Sequence, residues 1–241
     1  MKRLLVLALV LAWFAPAAFA AAGAYGFQKA YFGATKAGAF ARQKATDEKG
    51  AVTEYTYSRL ADVGTDRVIE MRYAIVSGQF KGTNSITGCL VPADFPLEND
   101  AIDFQAHARR CAFSTSGSAP SEYPAAAMKA VAEGMTNYAA IVTFKGTETV
   151  DGKRCDRYGY EYKGAYINAP ATTTGDLWLS DAVPFGLVKD VMTIRDGSGK
   201  TLTRIETVLV ETGEGARTAW PRWSWSGPAK RRTAPARKPH H

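Results

Sequence analysis

Apolar and polar residues alternate with a period of two along much of the chain. Ile69, Met71, Tyr73 and Ile75 are separated by charged or small residues, and the tyrosines of 55–57 and 158–162 repeat the pattern. Such alternation is typical of β-strands that bury one face of an antiparallel sheet. Further strands are predicted at 36–46, 139–149, 175–180, 187–195 and 201–211, and the turn sequence Asp151-Gly152 predicts a hairpin.

One segment follows a helical period instead. Met128, Val131, Ala132 and Met135 fall at positions i, i+3, i+4 and i+7, which predicts a helix over 123–137. The apolar stripe of this helix needs a large partner surface, and the sheet supplies one. Residues 77–120 are rich in glycine, proline and serine and are predicted to be mainly loops, with room for a short edge strand. The fold class is therefore mainly β (α+β), an antiparallel sheet with one main helix packed on it.

The first twenty residues have the pattern of a secretory signal peptide. Lys2 and Arg3 precede an apolar run over 4–14, and Ala18-Phe19-Ala20 forms a small-x-small cleavage site. We expect a signal peptide at 1–20, a single β-rich domain at 21–216, and a disordered tail at 217–241. The expected location is periplasmic or secreted, in a Gram-negative envelope.

Charge is concentrated at the two ends of the chain. The net charge is +7, but two basic residues lie in the signal peptide and seven lie after residue 216. The body from 21 to 216 keeps 21 basic and 23 acidic residues, a net of −2. A body with this balance gives no reason to expect nucleic acid as a partner.

Three cysteines are present, Cys89, Cys111 and Cys155. An oxidising compartment permits disulfides, and an odd count leaves one thiol unpaired. The spacing does not resemble a zinc site, and the connectivity cannot be derived from sequence. We favour a Cys89–Cys111 disulfide with Cys155 buried.

Groups suited to catalysis are scarce. His107 is the one histidine before the last two residues, and no nucleophile motif accompanies it. The carboxylates at 94, 98, 100 and 103 do not match a calcium loop and indicate a solvated acidic segment. We therefore expect no enzyme activity, no metal and no cofactor. A hydrolase that uses His107 stays as an alternative.

The aromatic residues offer two interpretations. Several large rings on one face of the sheet are usually an ordinary core, because aromatics pack well on strands. They can also line a concave apolar site for a lipid-like ligand. The candidate lining residues are Tyr55, Tyr57, Tyr158, Tyr160, Tyr162 and Trp178.

Four stretches carry a resemblance to known proteins. A group of uncharacterised secreted bacterial envelope proteins is resembled by the pattern Trp-x-Ser-x-x-Val-Pro-x-Gly-Leu-Val-Lys over 178–189, the stretch 211–216, the hairpin at 146–158, and Gly38-Ala39-Phe40-Ala41, which resembles their first strand. More distantly, the arrangement is similar to the outer-membrane lipoprotein carrier superfamily. That resemblance implies a curved sheet, or half-barrel, closed by helices over an apolar cavity. It transfers no ligand residues.

The C-terminal segment combines tryptophans with basic residues. Rings of this type favour membrane interfaces and the charges favour anionic surfaces. A solvated disordered terminus is the alternative. The candidate surface residues are Trp220, Arg222, Trp223, Trp225, Lys230, Arg231 and Arg232.

The function predicted from these features is that of a non-enzymatic periplasmic binding or carrier protein. Its partners would be a lipid or apolar small molecule and, through the tail, an anionic membrane or envelope polymer. The alternative is a structural envelope protein whose sheet packs without a ligand cavity.

Overall fold

A computed structural model describes residues 35–92, 108–115, 117–124, 141–166, 169–220 and 223–225. Eleven strands form one antiparallel sheet that is curved and does not close on itself. The strands are β1 (Phe40–Asp47), β2 (Val52–Arg59), β3 (Asp66–Ile75), β4 (Asn84–Pro92), β5 (Arg110–Thr115), β6 (Ser121–Glu122), β7 (Ile141–Val150), β8 (Lys153–Tyr166), β9 (Ala169–Leu179), β10 (Leu187–Asp196) and β11 (Thr201–Gly213).

The sheet consists of two meanders joined at its centre. Its strand order is β6-β5-β4-β3-β2-β1-β11-β10-β9-β8-β7, so the first and last strands of the domain are neighbours. The β7–β8 hairpin turns at Asp151-Gly152, and both residues have positive φ, as a type I′ turn requires. This hairpin confirms its sequence-based prediction.

The mainly β character is confirmed, whereas the predicted helix is not tested. Residues 125–140, which hold most of the expected helix, lie outside the described residues, as does the predicted signal peptide. In the described ranges, Tyr123 and Pro124 are not helical. No helix that is long and apolar enough to cross a bilayer occurs in the part of the chain that the structure describes.

The expectation of mainly loops over 77–120 is wrong for two segments. Strands β4 and β5 both lie there, and β4 pairs with β3 along its whole length. Residues 87–91 of β4 are buried in succession, so the strand lacks the alternation that reveals a half-buried strand. The Cys89–Cys111 disulfide joins β4 to β5, and Cys155 is free and buried, as expected.

Candidate functional site

Five of the predicted lining residues, all of them tyrosines, lie on one face of the sheet. Directly paired residues of antiparallel strands point to the same side. The continuous pairing of the strands from β3 through β2, β1, β11, β10 and β9 to β8 therefore places the tyrosines on the same face as the largest buried apolar side chains. This apolar face carries Tyr55, Tyr57, Ile69, Met71, Tyr158, Tyr160, Tyr162, Leu177, Met192 and Ile194.

The loop between β9 and β10 reaches across the apolar face. Phe185 has a φ of 61°, an unusual value for a residue with a side chain, and its N–H donates to the Thr35 hydroxyl at 2.9 Å. Its ring lies 5.9 Å from that of Tyr57 on β2 and packs on the cluster that contains the disulfide. The loop thus contacts the other half of the sheet, which places the apolar face on the inner side of the curve.

A carboxyl group is buried within this apolar face. Asp190 on β10 is 3% exposed and lies directly between Leu177 on β9 and Thr207 on β11. The Tyr160 hydroxyl donates to Asp190 Oδ1 at 2.9 Å. Burial raises the pKa of Asp190 to about 7, although the hydrogen bond from Tyr160 acts in the opposite direction.

Gly175 makes the contact between Tyr160 and Asp190 possible. It pairs with Tyr160 on one side and Met192 on the other, so the tyrosine ring must cross β9 to reach Asp190. A Cβ at Gly175 would lie 2.5 Å from the Tyr160 hydroxyl and 2.6 Å from the Val191 carbonyl oxygen. The missing side chain therefore provides the space that the ring occupies.

The tyrosines of β2 lie in a similarly dry environment. Burial raises the pKa of Tyr55 and of Tyr57 well above the usual range for a phenol. Tyr73 lies 5.9 Å from Tyr55, and its buried hydroxyl has no hydrogen-bond partner among the described residues. The inner surface is therefore apolar with a few isolated polar groups, which is the usual character of a site for apolar ligands.

Trp178 does not lie with the tyrosines. It pairs with Arg157 on β8 and with Lys189 on β10, which places it on the opposite, outer face. The two cations lie 5.1 Å and 5.6 Å from its ring centroid, and its indole N–H donates to Glu148. Trp178 is half-buried and packs against the cluster of Cys155, Val183 and Val188, so the structure does not bring it together with the other five predicted lining residues.

Part of the C-terminal segment packs on the outer face and forms a strap, residues 216–220 and 223–225. The buried carboxylate of Glu70 accepts hydrogen bonds from the Thr218 hydroxyl at 2.8 Å and from the Ala219 N–H at 3.1 Å. Trp220 is 6% exposed, and its indole N–H donates to the Ser114 hydroxyl at 3.0 Å. A disordered tail from residue 217 is therefore not what the structure shows in this segment.

The strap depends on a glycine of β4. A Cβ at Gly88 would lie 2.8 Å from both the Trp220 and the Trp225 rings. Trp223 and Trp225 are partly buried, and Arg110 lies 5.8 Å from the Trp223 ring centroid. Because Trp220 is buried, its ring cannot contact a membrane in this arrangement. The other candidates of that set, Arg222 and Lys230 to Arg232, lie outside the described residues.

The remaining candidate groups for chemistry are not placed by the structure. His107 and the acidic segment with Asp94, Glu98, Asp100 and Asp103 lie outside the described residues. Within the ranges that are described, no three histidine, cysteine or acidic side chains come together as metal ligands. A shallow polar groove of about 600 Å³ crosses β7 to β11 on the outer face, with Lys145 and Asp176 paired at 2.6 Å in its wall.

Two features of the site were missed in the sequence. Asp190 follows Lys189 in a strand with ordinary alternation, and nothing local distinguishes a buried carboxylate from an exposed one. Phe185 lies between the predicted strands 175–180 and 187–195 and belongs to neither alternating pattern. A large aromatic between Val183-Pro184 and Gly186 was the available signal that the loop packs inward.

Comparisons with known proteins give remote structural similarities. No family profile matches the chain, and no curated protein matches it. An exported-protein candidate with a YmcC-like fold from Bacteroides fragilis is 11% identical, with a TM-score of 0.39 over 75% of this chain and 97% of that one. A lipoprotein candidate from Parabacteroides distasonis is 14% identical, with a TM-score of 0.37 over 74% and 96%. MucB is 11% identical, with a TM-score of 0.38 over 80% of this chain and 59% of that one. TM-scores this low carry no argument about function.

Proposed function

We propose that the protein is a non-enzymatic binding or carrier protein of the bacterial envelope that takes up an apolar, lipid-like group on its apolar face. The observation that carries the proposal is the set of buried tyrosines and aliphatic residues spread over both halves of the sheet. The Phe185 loop extends over the same face and gives it an inner side. Sites for apolar ligands are concave and mainly apolar, with few polar groups.

The structural alternative rests on a specific observation. Ile69, Leu177 and Ile194 are at most 1% exposed, which is the burial of a dry core. In that case the sheet would hold no ligand and the protein would act through its outer surface. Native mass spectrometry of protein purified from its own host separates the two functions. A co-purifying lipid supports the carrier, whereas a clean apo mass in repeated preparations contradicts it.

A pair of variants on β3 tests which face of the sheet binds the ligand. Tyr73→Lys introduces a charge on the apolar face, whereas Ala74→Lys introduces the same charge one residue later on the outer face. We expect the first variant to lose binding of the neutral dye N-phenyl-1-naphthylamine and the second to keep it. Circular dichroism controls for folding. If both folded variants bind like the wild type, the ligand does not occupy the apolar face.

For the C-terminal region we propose contact with an anionic membrane or envelope polymer. Trp223 and Trp225 are only partly buried, and five basic residues with no acidic one follow them in the sequence. Each basic residue near an anionic membrane contributes about 1 kcal/mol. Removal of residues 226–241 should sharply reduce binding to vesicles that contain phosphatidylglycerol at low salt. Equal binding by the truncated chain would contradict this role.

A further inference from the structure

Asp190 is an acid in surroundings that favour its neutral form. Among the described residues, its neighbours on the apolar face are Leu177 and Gly175 on β9, Met192 on β10 and Thr207 on β11. None of these side chains carries a charge. The alternation of β8 places two charged residues on that side, Asp156 and the exposed Arg154, near the start of the strand and beyond Tyr158. Asp176 faces the outer side, where Lys145 and Arg157 bind it, and its negative charge also raises the pKa of Asp190.

The contact with Tyr160 identifies Asp190 as a defined feature of the inner surface. The phenol ring crosses β9 over Gly175, and its hydroxyl donates to one carboxyl oxygen of Asp190. The neutral carboxylic acid fits this environment, whereas the ionised form leaves a negative charge that one phenol hydroxyl stabilises only in part.

We propose that protonation of Asp190 regulates ligand occupancy of the apolar face: the neutral acid permits an apolar group to bind, and the ionised acid opposes it. The inference rests on the proposed function, because it concerns the same face. The ionised carboxylate needs water or a further hydrogen-bond donor beside it, and an apolar ligand seated over Asp190 excludes both. Ligand binding therefore favours the protonated form, and by linkage deprotonation weakens ligand binding.

The structure also sets the pH range and the sign of the effect. Burial raises the pKa of Asp190 to about 7 in the folded chain, above its ordinary value of 3.8. Between these two values, unfolding releases a proton, so the unfolding constant rises about tenfold per pH unit and levels off above the folded pKa. The stabilising effect of the proton is complete below pH 4 and is lost as the pH rises through 7.

The experiment follows unfolding and dye binding from pH 5.5 to 8.5 in the wild type, Asp190→Asn and Asp176→Asn. N-phenyl-1-naphthylamine is the probe, because it is uncharged in this range. If only the neutral form binds, the wild-type Kd should rise about 30-fold over the range. Asp190→Asn should abolish this change, and Asp176→Asn, which removes a carboxylate from the outer face, should keep it.

A further variant tests the direction of the shift. The hydrogen bond from Tyr160 lowers the pKa of Asp190, so Tyr160→Phe should move the inflection of the Kd and stability profiles to higher pH. This prediction is independent of whether Asp190→Asn folds. A downward movement, or no movement, would overturn the role of the pair.

The outcomes separate this inference from the function on which it rests. Dye that binds the wild type with a constant Kd from pH 5.5 to 8.5 overturns the proton control and leaves the apolar binding face intact. No dye binding at any pH, with the folded state verified, contradicts the binding function itself. A pH-dependent Kd that persists in Asp190→Asn assigns the titration to another group and also overturns the inference.

Discussion

Substitution of Trp220 by alanine tests whether the strap is part of the folded domain. The ring is 6% exposed, lies on Gly88 and donates to the buried hydroxyl of Ser114. A buried tryptophan covers about 150–250 Å², which at 25 cal/mol per Å² corresponds to about 4–6 kcal/mol. Measured changes of this type cost about 3–5 kcal/mol. We therefore expect Trp220→Ala to lower the free energy of unfolding by about 4 kcal/mol.

The measurement is urea unfolding followed by far-ultraviolet circular dichroism at pH 6. A loss of about 4 kcal/mol in a domain of this size should also lower the Tm by roughly 10 °C. Ser114→Ala removes the acceptor and keeps the ring, so it isolates the hydrogen bond, which contributes about 1 kcal/mol.

Trp178→Ala is the matched control on the same face of the sheet. Trp178 is half-buried and contacts Arg157 and Lys189 through its ring. Its ring also packs against the buried cluster of Cys155, Val183 and Val188. Half of the area term used for Trp220 gives about 2–3 kcal/mol, and cation–π contacts at exposed sites add about 0.5–1 kcal/mol each. We therefore expect Trp178→Ala to cost about 3–4 kcal/mol without affecting the strap. A loss of less than about 1 kcal/mol for Trp220→Ala would refute the packing of the strap.

Three further predictions concern stability and thiol chemistry. Gly88→Ala should destabilise the domain by about 1–3 kcal/mol, because the added Cβ would lie 2.8 Å from the rings of both Trp220 and Trp225. The displaced rings should become more exposed to solvent, which acrylamide quenching of tryptophan fluorescence measures; unchanged quenching would contradict the prediction. Replacing Cys89 and Cys111 by serine should cost about 3 kcal/mol for a loop with a sequence separation of 22, measured by urea unfolding against the oxidised wild type. Without reductant, iodoacetamide should label one thiol per chain in denaturant, that of Cys155, and none in the folded state, because Cys155 is 0% exposed. Mass spectrometry counts the adducts, and fast labelling of the native protein would place Cys155 at the surface.

The strands that sequence predicts best have one buried and one exposed face. The predicted strand at 187–195 matches β10, whose buried residues recur at every second position. The predicted strand at 201–211 matches β11, whose buried residues Thr203 and Thr207 lie four positions apart on one face. Strand β4 lacks this alternation because the strap covers its outer face and Tyr123 and Phe185 pack on its other face. Burial on both sides removes the alternation, and the strap residues come from a segment more than 100 positions later in the sequence.

For the candidate site, the sequence predicts only which residues of one strand share a face. Tyr158, Tyr160 and Tyr162 share a face whatever the rest of the fold does, because they are two residues apart on one strand. The contact of Tyr160 with Asp190 requires the register of β8 on β9 and of β9 on β10, and it also requires a glycine at the crossing point. No local pattern contains that information.

The position of Trp178 shows how much depends on register. A shift of one residue in the pairing of β8 with β9 would move Trp178 to the side of the tyrosines and Leu177 to the outer face. The observed register places Leu177 beside Tyr158 and Trp178 beside Arg157, so the ring meets two cations and a carboxylate. In the shifted register Leu177 would lie among charged groups, and the indole N–H would lose Glu148 as its acceptor. The charges on Arg157, Lys189 and Glu148 therefore help to determine which aromatic residues line the inner face, although none of the three lies on it.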